Sequence, residues 1–355
     1  MKTTFCLILL SFFTITQAPL LAQYSNPNGS IEPVKNNDIW AKTLEGSHYN
    51  EMWNYQFYLN DGMMVHIAFS VANFGSFKDP ISGVQMSIYN LNGELHQVSR
   101  EYPIHYLIQD REKNIFKLRD ERTIYFEGKL PDKHRVHVEF TKNDVLYKVL
   151  LDFSNIHKGV KWGDGNFRIG DEDVGIITHI PYAQVRGTVQ VNDVERKVRG
   201  TAYMDHTYQD RATTDILDSG YRFVQHDDLQ NWDLLYYLLP ENAPQNRTVG
   251  YRLTNNDGKI SVNGVERIAM MNSSEAFSVE FARIMDMKMQ DESEIRMSRT
   301  KDFEKFSILS ELGWLARKAA KSFLGGEVIS LRGEAILMEE GNRPKRGYYN
   351  FYVID

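Results

Sequence analysis

Tight-turn dipeptides recur along this chain and leave room only for short strands between them, which constrains the fold more than any other feature. Asn60-Asp61-Gly62, "NLNGEL" at Asn90–Leu95, "VNDVE" at Val191–Glu195, "NNDGK" at Asn255–Lys259 and "VNGVE" at Val262–Glu266 all read as hairpin turns. Asn, Asp and Gly tolerate the positive φ that two-residue primed turns require. Between them lie β-rich runs such as "MVHIAFSV", "GVQMSIYNL", "RVHVEFTK", "YRFVQHD", "WDLLYYLL" and "RGEAILME". Several alternate apolar and polar residues, as expected of a sheet with one face on a core or cavity and the other in water. The chain is therefore predicted to be all-β and mainly antiparallel. One segment departs from this. "FSILSELGWLARKAAKSFLGG" sets Ile308, Leu309, Leu312, Leu315, Ala316, Ala319 and Phe323 near helical spacing and stops at Gly325-Gly326. It predicts a core-packed helix near 306–324 with a solvated basic edge of Arg317, Lys318 and Lys321.

Met1-Lys2, the apolar run Phe5–Ile15 and "QAPLLAQ" read as a secretory signal peptide over residues 1–22, cut after Ala22. Export to the periplasm or medium is the expectation. Cys6, the single cysteine, would leave with that segment, so neither a disulfide nor a thiolate nucleophile is expected afterwards. No later apolar run is long enough for a transmembrane helix. A formal charge of −6 argues against a nucleic-acid partner, which would favour a clustered basic face. The remaining length suits two ordinary domains. The boundary is predicted near residue 180, giving units over 23–180 and 181–355, because Pro181 interrupts "GIITHIPYAQVRG" just after the turn-rich "KWGDGNFRIGDEDVG". The echo of "VQVNDVER" in "ISVNGVER" needs no duplication, since hairpin chemistry alone can produce it.

The stretch that carries chemistry is "GTAYMDHTYQD", Gly200–Asp210, where Asp205 stands beside His206. Together with Pro181, Val185 and Gly187 upstream, Gly200, Tyr203, Asp205 and His206 resemble the signature of the carotenoid 1,2-hydratase and AttH-like group. Ala202, Met204, Thr207, Tyr208 and Gln209 depart from that signature, and the resemblance spans about thirty residues. It implies two lipocalin-like β-barrels side by side, a ligand cavity lined by both, and the Asp-His strand opening the wall of the second barrel. It also implies hydration or cyclisation of a double bond without a cofactor.

Strand alternation divides the motif. Val198, Gly200, Ala202, Met204, His206 and Tyr208 share one face; Arg199, Thr201, Tyr203, Asp205 and Thr207 share the other. The mostly apolar first set is expected to face packed core, with His206 hydrogen-bonded at its end. The second faces water or a polar cavity. A bulge beside the motif is the alternative that would bring both groups together. Asp205 is the candidate acid, with His206, Tyr203 or His226 as partner. Arg199, Tyr208, Arg211, Tyr221, Trp232, His48 and Trp53 are the candidate substrate contacts. "WGDGN" and "GDEDVG" lack calcium-loop spacing, and no metal is expected. The expected function is an exported hydro-lyase acting by acid–base chemistry on a small molecule, with a uronic oligosaccharide favoured over an isoprenoid because of the arginines near the motif. The alternative is a non-catalytic lipocalin-like carrier of a hydrophobic molecule, in which Asp205 and His206 would be scaffold.

Overall fold

The computed structural model describes residues 24–119, 123–277, 279–307, 309, 314–323 and 325–355. The segment assigned to a signal peptide lies outside the described residues, as do Ile308 and Leu312 of the predicted helix. Fifteen strands form one antiparallel sheet. They are β1 (Tyr24–Ser25), β2 (Ile31–Pro33), β3 (His48–Leu59), β4 (Met64–Phe74), β5 (Ile81–Leu91), β6 (Glu94–Pro103), β7 (Leu107–Asp110) and β8 (Ile115–Leu118). There follow β9 (Ile124–Glu127), β10 (Arg135–Lys142), β11 (Val145–Ser154), β12 (Val160–Trp162), β13 (Asn166–Ile169), β14 (Glu172–Val191) and β15 (Val194–Gln209). The main path runs β6-β5-β4-β3-β15-β14-β11-β10-β9-β8-β7.

After a short helix α1 (Thr213–Ile216), eight strands close a barrel. These are β16 (Leu217–His226), β17 (Trp232–Pro240), β18 (Val249–Asn256), β19 (Lys259–Ala276), β20 (Val279–Met289), β21 (Glu294–Phe306), β22 (Val328–Glu339) and β23 (Lys345–Ile354), with helix α2 (Trp314–Phe323) between β21 and β22. The all-β expectation holds. The basic edge of α2 is held to the barrel by Arg317–Glu327 at 2.7 Å and Lys321–Asp355 at 2.8 Å. Among the described residues no helix is long and apolar enough to cross a membrane.

The two β-units are built differently. The first sheet curls around its own core, and among the described residues no strand ladder closes it. Side chains bridge the gap instead: Arg100 donates to the Thr141 carbonyl and Lys142 to that of Ser99, both at 3.0 Å. Trp53, Tyr55 and Phe57 of β3 and Val65, Ile67 and Phe69 of β4 alternate into this core. Tyr221, Phe223, Leu235, Tyr237, Met285 and Phe351 fill the second barrel. A third apolar layer, including Tyr182, Tyr203, Val224, Leu234, Tyr236 and Tyr251, lies where the outer face of the barrel meets the first sheet. The polar face of β3 and β4 is therefore covered: Asn54, Gln56 and His66 are all buried.

Residue 180 is not a boundary. β14 runs unbroken through it, and Pro181 sits inside the second of two adjacent register shifts, Thr178/Ile180 and Ile180/Ala183, a bulge where a missing N–H is tolerated. β15 pairs with β14 and β3, so the Asp-His strand belongs to the first sheet and not to the wall of the second barrel. The chain changes sheet between Gln209 and Leu217. Four of the five predicted turns show positive φ, at Asp61, Asn92, Asn192 and Asp257. The fifth, Asn263-Gly264, lies inside β19. Its glycine serves close packing: a Cβ there would come within 2.4 Å of Gln290.

A sharper case is Gly200, at the start of the motif. An added Cβ would meet the Tyr58 carbonyl oxygen of β3 at 2.0 Å. Gly200→Ala is predicted to separate β15 from β3 and cost about 1–3 kcal/mol. Denaturant titration would show it, and an unchanged midpoint would contradict this account of the pairing.

Candidate active site between the two β-units

β15 pairs with β3 residue for residue from Gly200 to Gln209. The bulge lies in β14, so alternation along β15 is unbroken and Asp205 and His206 point to opposite faces. Each enters a different buried polar cluster.

His206 enters the core of the first sheet. Its Nε2 lies 2.6 Å from Glu51 Oε1 and its Nδ1 3.1 Å from the Asp38 carbonyl. Both ring nitrogens face acceptors, one a backbone carbonyl and the other a carboxylate. Glu51 also accepts from the Lys42 amide at 2.9 Å and the Thr43 hydroxyl at 2.8 Å. Burial alone would raise the Glu51 carboxyl, but His206 and these donors hold it below the ordinary carboxylate range. Trp53 stacks on His206 with centroids 4.5 Å apart and donates to the Ile39 carbonyl at 2.7 Å. Tyr208 lies on the same face, its ring 5.5 Å from His206, and donates to Asn166 at 3.0 Å. This cluster ties the 38–43 loop to β3 and β15. His206, Trp53 and Tyr208 thus lie in this core-side cluster and not in the seam with Asp205.

Asp205 enters the seam between the sheet and the barrel and is fully buried. Asn54 donates to its Oδ1 at 2.9 Å and the Tyr203 hydroxyl to its Oδ2 at 2.8 Å. Arg222 of β16 brings Nε to 2.5 Å from Oδ2. That N–H makes no aligned hydrogen bond, so the contact is an ion pair. The guanidinium carbon lies 5.4 Å from the Tyr236 ring centre and 5.9 Å from that of Tyr203. Burial, then the Asp205 charge, pushes the Tyr203 hydroxyl well up. Burial raises Tyr236 to about 12. Burial would lower Arg222, but Asp205 raises it above its ordinary value.

A second polar row adjoins this group. Asn350 of β23 is the cross-strand neighbour of both Arg222 and Arg332. On the facing sheet, Gln56 is the neighbour of Tyr203 and His66. Arg332 donates to Glu304 at 2.9 Å, and Glu304 also accepts from Ser87 and Gln97 across the seam. Burial, followed by Arg332 and Arg222, drives His66 well below its ordinary value, so its ring is neutral.

The remaining sequence candidates lie elsewhere. His226 spans the seam edge, with Nδ1 2.9 Å from the Thr201 hydroxyl and Nε2 donating to the Pro181 carbonyl at 2.9 Å; both nitrogens are engaged, and it is a tether. Tyr221 has the wrong parity and stacks inside the barrel between Tyr237 and Tyr349. Trp232 is buried and donates to His157 at 3.2 Å. Arg199, Arg211 and His48 are exposed, Arg211 on Glu172 at 2.9 Å. Of the predicted set, only Asp205 and Tyr203 belong to the seam group. Arg222, His66, Gln56, Asn350 and Arg332 were missed. Strand parity does set Arg222 apart from Tyr221, but parity cannot say that the outer face of one unit is covered by another.

No family model matches the chain, and no curated protein matches it significantly by sequence. Solved structures do share its fold. An AttH-type protein from Nitrosomonas europaea aligns with TM-score 0.64 at 13% identity, covering 90% of this chain and 97% of that one. Kievitone hydratase from Nectria haematococca aligns with TM-score 0.57 at 11% identity, covering 94% and 97%. CghA, solved with Sch210972, aligns with TM-score 0.52 at 9% identity, covering 93% and 94%. Likeness at these identities establishes a common architecture across both β-units.

The buried histidines predict how the fold responds to acid. Burial lowers His226 from 6.5 to about 4 and His134 to about 3, and drives His179 well down. The unfolded chain then takes up protons that the folded one refuses. The stabilisation is present above the ordinary histidine value and is lost as pH falls toward these lowered values. Glu51 adds a loss in the same direction as pH falls through its own lowered value. Denaturant titrations from neutrality down to about pH 4 are expected to show falling stability. A flat profile would contradict the buried, neutral assignment.

Proposed function

We propose that this chain is a hydratase-type enzyme that adds water to, or removes it from, a small molecule held in the seam between the two β-units. One observation carries the reading: a fully buried carboxylate, Asp205, meets a tyrosine hydroxyl of its own strand and an arginine from the opposite unit. Such a group can move protons where bulk water is excluded and electrostatic interactions are strong. That a hydratase shares the architecture supports the reaction class. In this reading Asp205 and Tyr203 exchange one proton with the substrate and Arg222 carries the countercharge. Hydration forms one C–H and one C–O bond: the pair takes one proton from the added water and delivers one to carbon, and so ends as it began. His206 takes no part in the reaction and fixes the strand from behind.

The walls favour a compact molecule over a sugar chain. Arg199 and Arg211, which suggested a uronic oligosaccharide, are on the surface, whereas the rings of Tyr203 and Tyr236 flank Arg222. The carrier alternative is disfavoured because the barrel interior is filled by Tyr221, Phe223, Tyr237, Met285 and Phe351, none more than about 1% exposed. We extend the proposal to export. Expression in a secreting host is expected to yield protein beginning at Gln23, read by mass spectrometry of the intact chain; retention of Met1–Ala22 in the secreted protein would oppose the cleavage.

The reaction is tested by screening unsaturated and β-hydroxylated small molecules for gain or loss of one water. Tyr203→Phe keeps the ion pair and is expected to lower turnover about 10–100-fold, and Asp205→Asn by about 100-fold or more. Thermal melts separate these losses from unfolding. Undiminished turnover in both folded variants would remove Asp205 and Tyr203 from the reaction.

A further inference from the structure

Five side chains in the seam remain polar, buried and incompletely paired. His66, Gln56, Arg332, Arg222 and Asn350 are 5, 7, 6, 7 and 9% exposed. Both nitrogens of His66, Nε2 of Gln56, Nε of Arg332 and Oδ1 of Asn350 have no protein hydrogen-bond partner among the described residues. Nε of Arg222 has only its misaligned contact with Asp205. Gln56 accepts from Tyr58 through Oε1 at 2.5 Å, which leaves its amide N–H groups for another acceptor. Polar atoms buried this deeply are normally paired.

The unpaired set is rich in donors. Gln56, Arg332, Arg222 and one nitrogen of neutral His66 each offer an N–H, against the Asn350 oxygen and the other imidazole nitrogen. A group that completes this set must present acceptor oxygen. We infer that the seam binds the oxyanion of an enolisable carbonyl beside Arg332, Gln56 and His66, and that the substrate class is an alkene conjugated to a carbonyl, or the corresponding β-hydroxy carbonyl in the reverse direction. The inference rests on the seam being the reaction site proposed above.

The local field separates this chemistry from hydration of an isolated double bond. Protonating an isolated alkene creates a carbocation, and two buried guanidiniums oppose positive charge beside them. His66 already shows that opposition, since Arg332 and Arg222 help to hold it neutral. The same groups stabilise an enolate as it forms. In the conjugate reaction the water oxygen adds to the β-carbon and its proton passes to the Asp205–Tyr203 pair. The alkene π electrons shift toward the carbonyl oxygen, giving the enolate. Collapse of the enolate takes a proton back at the α-carbon. One water is added, and no oxidant or reductant is consumed.

The probe is para-nitrophenol, whose absorbance distinguishes phenol from phenolate, titrated with the full chain near neutral pH. The wild type is expected to bind it as phenolate. Arg332→Met paired with Glu304→Gln removes both partners of one ion pair, so no charge is left stranded. That variant is expected to bind about tenfold more weakly and to shift the bound probe toward the neutral phenol. Gln56→Leu, which alters no charge, is expected to weaken binding in the same direction. Failure to bind, binding as the neutral phenol, or equal binding in folded Arg332 and Gln56 variants would overturn the anion site. If para-nitrophenolate fails while Asp205→Asn still abolishes hydration of some substrate, the hydratase reading stands and only the oxyanion falls. If the probe binds as expected but folded Asp205→Asn and Tyr203→Phe turn substrates over undiminished, the anion site stands and the acid–base assignment falls.

Discussion

The ion pair between Asp205 and Arg222 joins the two β-units through a fully buried carboxylate. Removing two charges from water costs several kcal/mol per ion, and attraction repays that only where the remaining lone pairs and protons are satisfied. Asn54 and Tyr203 supply this for the carboxylate, and the faces of Tyr203 and Tyr236 flank the guanidinium. The pair therefore constrains how the barrel seats on the sheet. Tyr58 stacked on Tyr348 at 4.2 Å, Tyr89 on Phe303 at 4.4 Å, and Gln97 on Glu304 extend the same contact.

On the other face of β15, His206 and Glu51 form a second buried pair. One strand thus carries His206 into the first core and Asp205 into the seam through adjacent residues. The two pairs do different work. His206 and Glu51 are saturated by backbone groups of the 38–43 loop and by Trp53, as expected of a fixed structural element. Around Asp205 the polar groups continue into a row whose hydrogen-bonding capacity is not filled among the described residues, the feature on which the proposed ligand site rests.

Much of the first unit was legible in its sequence. Asn-Asp and Asp-Gly turns fixed hairpin positions because few residues other than Asn, Asp and Gly accept positive φ cheaply. Apolar alternation in "MVHIAFSV" set Val65, Ile67 and Phe69 on the core face, where they lie. Pro181 misled, because a proline in a bulge and a proline at a domain boundary leave the same trace in sequence. Asn263-Gly264 misled for a related reason: glycine serves close packing as readily as it serves a turn.

Alternation favoured the separation of Asp205 and His206 but left a bulge open as the alternative, and the unbroken register of β15 on β3 decided for opposite faces. Alternation also placed Tyr203 with Asp205. Nothing along the chain announced Arg222, His66, Arg332 or Asn350 as their company. Those residues occupy strands far apart in sequence, on faces that each unit by itself would leave open to water. Only packing one β-unit against the other turns two polar surfaces into one dry seam, because burial and charge pairing across it belong to neither strand alone.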